Sequence, residues 1–143
     1  MAVSLSKHHA LTDWMHRNDW NMHRAASEAV EDTSGGFRGV AHGAVGRTQL
    51  RAILNTARVC TSPGDFESFL SARRERRRKN GSPPQEDFWQ ALLDHLRAAR
   101  NESGYVKKAK EALGGALSPA QEMRIIEAYF THLITHCQLR SKK

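Results

Sequence analysis

SPAQEMRIIEAYFTHLITHC, residues 118–137, decides the fold. Met123, Ile126, Phe130, Leu133, Ile134 and Cys137 recur at three- and four-residue intervals, which gathers them on one side of an α-helix. Ser118 offers a hydroxyl oxygen to an orphan backbone N–H. Pro119 lacks the N–H that would be unpaired at a first helical position, and Gln121 can reach back as in a capping box. Ser62-Pro63-Gly64-Asp65 and Ser82-Pro83-Pro84-Gln85 repeat that layout. Three such starts predict a helical chain.

The stripes outward from this segment agree. Leu50, Ile53, Leu54 and Ala57 share a face over 48–60, and Phe66, Phe69 and Leu70 share one over 63–79. Phe88, Trp89, Leu92, Leu93, Leu96 and Ala99 do so over 83–100. Tyr105, Val106, Ala109, Ala112, Leu113 and Ala116 line up over 104–116, where Gly114-Gly115 weakens the end. No alternating β-branched run and no Asn-Gly hairpin occurs. The expected fold is all-α, a compact bundle of five to six helices.

The first 32 residues are less regular. Leu11, Trp14, Met15, Met22, Ala26 and Ala29 fit one helical face, Asn18 interrupts it and Trp20 points the opposite way. That pattern suits a helix that docks weakly or docks on a partner, and an exposed Trp20 would suit assembly with copies of the chain or with larger subunits. GGFRGVAHGAVG, residues 35–46, holds five glycines and reads as a flexible linker. It lacks the Gly-Lys-Ser/Thr of a phosphate-cradling loop. The expected organisation is an N-terminal helical segment and glycine-rich connection over 1–46, then a helical bundle domain over 47–143.

At 143 residues the chain can bury one core unaided. No apolar run reaches membrane-span length, so no membrane partner is expected. No apolar leader is visible either, and a cytoplasmic location is the default. Cys60 and Cys137 lie in apolar helical patterns without metal-ligand spacing and read as buried, reduced thiols. Twenty-two Lys and Arg against 15 Asp and Glu give a net charge of +7. Such a balance favours a polyanionic partner.

The positive charge concentrates in SARRERRRKNG, residues 71–81. On a helical wheel Arg73 and Arg77 continue the face of Phe66, Phe69 and Leu70, so the stripe turns from apolar to basic as the helix runs past the core. Arg74 and Arg78 flank that line, Arg76 and Lys79 lie on its other side, and Glu75 is the one acid. A solvated helix end, a targeting signal and a phosphate-binding surface are all open. One or two basic residues would satisfy the helix dipole. Six in seven positions repel one another, which favours the phosphate surface. Arg51 and Arg58, two turns apart, form a second stripe with Arg47, at about 10 Å spacing along the axis. Arginine stems covering an apolar border would give the same pattern.

Eight histidines invite a metal. His132 and His136 have the four-residue ligand spacing, but HLITH lacks the glutamate of a zinc-protease helix. His8, His9, His16 and His23 show no grouping in sequence. No metal site, cofactor, nucleophile elbow or catalytic residue is expected, and the chain does not read as an enzyme. A DNA-binding regulator or nucleoid-type protein is the alternative, with helices 48–60 and 63–79 as a helix-turn-helix. The amino end of its second helix, Pro63-Gly64-Asp65-Phe66-Glu67, is acidic and apolar where a base reader needs polar or basic side chains.

GRTQLRAILNTARV, residues 46–59, followed by FESFL and then by arginines, resembles the small helical subunit of type III CRISPR effector complexes. Thr48, Gln49, Leu50 and Arg51 match that family's helix-start motif. QEMRIIEAYFTHLITHC resembles its closing helix, so the resemblance spans about 46–140. The glycine loop and the tryptophan-containing first segment have no counterpart there. The resemblance implies a non-catalytic subunit that self-associates along a ribonucleoprotein beside other effector subunits. It would line the path of guide RNA and target RNA and hold backbone, while base pairing supplies specificity. It carries over Arg51. Charge and wheel position add Arg47, Arg58, Arg73, Arg74, Arg77 and Arg78 as expected RNA-binding residues.

Overall fold

The structure, a computed structural model, describes residues 2–31, 37, 40, 45–79, 81, 83–101 and 104–141, the side chains of 2–8, 83, 84 and 141 excepted. Among the described residues it is an all-α bundle of six helices: α1 (Ala2–Glu31), α2 (Arg47–Val59), α3 (Pro63–Lys79), α4 (Pro83–Arg100), α5 (Tyr105–Ala112) and α6 (Pro119–Ser141). The described residues include no strand, and none of their helices is long and apolar enough to cross a membrane.

The helix starts behave as their chemistry requires. Ser118 Oγ accepts from the Gln121 N–H at 3.2 Å, and Gln121 Oε1 accepts from the Ser118 N–H at 2.9 Å, a complete capping box. Ser62 Oγ accepts from the Asp65 N–H at 3.2 Å. Ser82 lies outside the described residues, although α4 does begin at Pro83. The helix expected over 104–116 is shorter. Gly114, at φ 74°, turns the chain, and the Gly115 and Gly114 N–H groups bond the carbonyls of Lys110 and Glu111. That Schellman closure stops α5 at Ala112 and leaves Leu113 and Ala116 outside it.

The bundle is organised around α6, which packs against α1, α2, α3 and α5, while α4 packs on α3 and α5. All six stripe residues of α6 are fully buried. Phe130 meets Phe66 edge to face at 5.0 Å, and Trp89 meets Phe69 at 6.2 Å. Two arginines of α6 close the ends of other helices. Arg124 donates to the carbonyls of Cys60 (3.0 Å), Arg58 (3.3 Å) and Ala57 (3.4 Å) at the end of α2. Arg140 donates to the Val30 carbonyl at 2.9 Å at the end of α1. Each places a cation where the helix dipole and the orphan carbonyls want one.

Three expectations need correction. The first helix does not dock weakly: Leu11, Trp14, Met22, Ala26 and Val30 are buried. It runs parallel to α6, since Asp19, His23 and Val30 meet His132, His136 and Arg140 in that order. Asn18, the polar residue on that face, is half-buried and turns its amide back to the Trp14 carbonyl at 2.9 Å. The glycine-rich stretch is not a bare linker at its described positions, since Phe37, Val40 and Val45 are buried and Phe37 packs against Phe88 and His95. Gly46 caps α2, and the other residues of that stretch lie outside the described residues. Finally, Cys60 is half-buried at the end of α2 rather than on its apolar face. Cys137 is buried, and burial pushes its thiol up to about 12.

Burial also holds His95 below its ordinary 6.5, against a smaller opposing pull from Asp94. Its Nδ1 lies 2.9 Å from Tyr129 Oη. The folded protein therefore keeps this ring neutral at a pH where the unfolded chain binds a proton. Its stabilising contribution is complete above 6.5 and is lost as pH falls through that value toward the lower folded one. His136, also lowered, acts in the same direction. The urea midpoint should fall between about pH 7 and pH 5, each such proton contributing a slope of at most about 1.4 kcal/mol per pH unit. His95→Gln should make the fall shallower, and parallel curves for the two proteins would refute the assignment.

Candidate nucleic-acid interface

The amino half of α3 belongs to the core, where Pro63, Phe66 and Leu70 are buried. A helix-turn-helix reader would need that end free for a groove, and here it is taken up against α6. Antiparallel α4 then accompanies α3 along its length: Glu67 lies 3.9 Å from Arg97, and Arg74 meets Gln90 farther on.

The basic half does not project freely. The Arg73 guanidinium lies over the Phe69 ring, 5.3 Å from its centre. Arg74 Nη1 donates to Gln90 Oε1 at 2.8 Å, and Gln90 in turn donates to Asp94 at 2.9 Å. Arg77 is half-buried, and the Nε–H groups of Arg74 and Arg77 are covered without a hydrogen-bond acceptor. Arg73, Arg74 and Arg77 thus lie along the helix pair instead of extending past it, because α4 continues beside them. Arg76, Arg78 and Lys79 are exposed. Arg78 pairs with Glu75 at 2.8 Å, and that hydrogen bond is the main reason the Glu75 carboxyl is held below its usual range. Within residues 73–79 one carboxylate thus stands among six cations, and Glu86 on α4 also acts on Arg78.

The second stripe lies on α2, where Arg47, Arg51 and Arg58 are exposed. Arg58 Nε is 4.0 Å from Glu127, which also pairs with Arg124. Since α2 leans on α6 and α3 on α4, the two stripes belong to different helix pairs. Exposed Arg76 and Lys79 complete the cluster beyond the residues that wheel position selected.

Other features carry less. A groove of about 560 Å³ lies between α1 and α6, lined by Leu11, Met15 and Ala128, but its charged members Arg124 and Glu127 are engaged with each other and with α2. Trp20 is 65 % exposed, as its wheel position requires. His132 and His136 are joined by His23, which spacing along the chain could not show. As the side chains stand, no three ligating groups among the described residues are arranged to hold a metal ion. No family model matches the chain, and neither the curated proteins nor the solved structures yield a match to it.

Proposed function

We propose that this chain is a non-catalytic, RNA-backbone-binding scaffold subunit of a type III CRISPR ribonucleoprotein, lining the guide and target RNA path in the cytoplasm. The observation that carries the reading is the excess of positive charge at the end of α3, where Arg73, Arg74, Arg76, Arg77, Arg78 and Lys79 stand against Glu75 on their own helix and Glu86 of α4, which acts on Arg78. Cations at that density repel one another, and a phosphate backbone is the partner that removes the repulsion. Arg47, Arg51 and Arg58 supply the second contact line, Arg51 also by family resemblance. Within this reading the packed guanidiniums of Arg73, Arg74 and Arg77 form a stiff base, and Arg76, Arg78 and Lys79 meet phosphates. Backbone contact carries no sequence information, which suits a subunit whose RNA is chosen by base pairing.

The test is a salt titration of RNA binding. Arg76→Ala, Arg78→Ala and Lys79→Ala are combined, because all three side chains are exposed and their loss leaves the fold intact. The slope of log affinity against log salt should flatten by about 0.7 per lost contact on single-stranded RNA, about 2 in all. Two unrelated RNA sequences should lose affinity equally. An unchanged slope would reduce the cluster to a solvated helix end, and loss confined to one sequence or to duplex DNA would favour the regulator reading.

A further inference from the structure

The parallel pairing of α1 and α6 sets two short ligand pairs face to face. Asp19 and His23 lie one turn apart on α1, and His132 and His136 lie one turn apart on α6. His132 Nε2 is 2.7 Å from Asp19 Oδ1, and His136 Nε2 is 3.4 Å from His23 Nδ1. His23 is central, its ring centre 5.4 Å from that of His132 and 4.8 Å from that of His136. Trp20 stacks on His23 at 5.2 Å.

We propose that His23, His132 and His136 bind one divalent transition-metal ion of the zinc class, bridging α1 to α6. The two spacings that involve His23 are close to what that ion needs. Imidazoles bound at 2.0–2.1 Å about a tetrahedral centre put their nitrogens roughly 3.3–3.4 Å apart and their ring centres about 5.2 Å apart. The His23–His136 nitrogen pair, at 3.4 Å, already has the first spacing, and the ring distances of 4.8 and 5.4 Å bracket the second. Asp19 accepts from the Nε2–H of His132, the carboxylate support that metal-bound imidazoles usually carry, and so leaves the Nδ1 lone pair for the ion. The ion replaces the weak His23–His136 hydrogen bond and draws His132 inward, closing an arrangement that the side chains do not complete alone. Metal sites in helical bundles are commonly built in this way from side chains on facing helices.

The experiment titrates Zn²⁺ into the tag-free full chain by calorimetry and thermal unfolding, and Co²⁺ by visible absorption. One equivalent should bind, cobalt should give the intense bands of four-coordinate geometry, and the melting temperature should rise by about 5–10 °C at a hundredfold excess over the dissociation constant. His23→Gln, His132→Gln and His136→Asn should each weaken binding at least tenfold while the metal-free circular dichroism stays helical. His16→Gln, on the same helix, should change nothing. Absence of binding, more than one equivalent, or full affinity in His23→Gln or His132→Gln would overturn the site, the last outcome leaving only an adventitious ion on the surface.

Discussion

Gly104→Ala should destabilise the protein by about 1–3 kcal/mol or more, while Gly115→Ala should be close to neutral. Gly104 is buried where the chain leaves α4 and enters α5, with an extended φ of −86° that any residue could adopt. The constraint is space. A Cβ there would fall within the van der Waals shells of the Ala98 and Ala99 carbonyl oxygens, which are backbone atoms at the end of α4. Neither oxygen can move without unwinding that helix end, and Gly104 itself donates to the Asn101 carbonyl at 3.0 Å in the same turn. At Gly115 a Cβ meets nothing within 4 Å. Urea unfolding of both variants measures the contrast, and equal midpoints would show that the α4–α5 junction yields more easily than its geometry implies.

Phe130→Ala should cost about 3–5 kcal/mol, a large share of the 5–15 kcal/mol that holds a domain of this size together. Its ring is fully buried, meets Phe66 edge to face at 5.0 Å and adjoins Tyr129 at 6.1 Å. Removal opens a cavity at the centre of the bundle, where α6 touches most of its neighbours and little can collapse inward. Leu139→Ala is the control, on the same helix but 54 % exposed, and should stay within about 0.5 kcal/mol. A similar midpoint shift for both variants would mean that residue type rather than burial sets the cost.

The helices were legible because their signals are local. A serine before a proline, or six apolar residues on one side of α6, needs no knowledge of the rest of the chain. What stayed hidden depends on meetings between distant segments. His23 and His136 are 113 residues apart, and Arg124 reaches Cys60 across 64. Phe37, Val40 and Val45 sit among glycines that signalled a linker, yet apolar side chains in such a stretch fill whatever hollow the helices leave. Gly104 resembles an ordinary turn glycine until the α4 carbonyls are placed. In the basic cluster the charge was visible, but the partners that hold Arg73 and Arg74 down, Phe69 and Gln90, emerge only once α4 lies beside α3.

The side-by-side course of α1 and α6 also fixes an order of events on the ribosome. The apolar stripe of α1 leaves the exit tunnel first, and its counterpart on α6 is made more than a hundred residues later. At about 5–20 residues per second that gap lasts about 6–20 s. Throughout it Leu11, Trp14 and Met22 have no native surface to cover them, while α2, α3 and α4 emerge and compete as substitutes. Helix formation takes microseconds or less, so the wait is set by synthesis of α6, and until then the apolar stripe of α1 is open to chaperones. A pause in translation anywhere between the two helices lengthens that exposure in proportion.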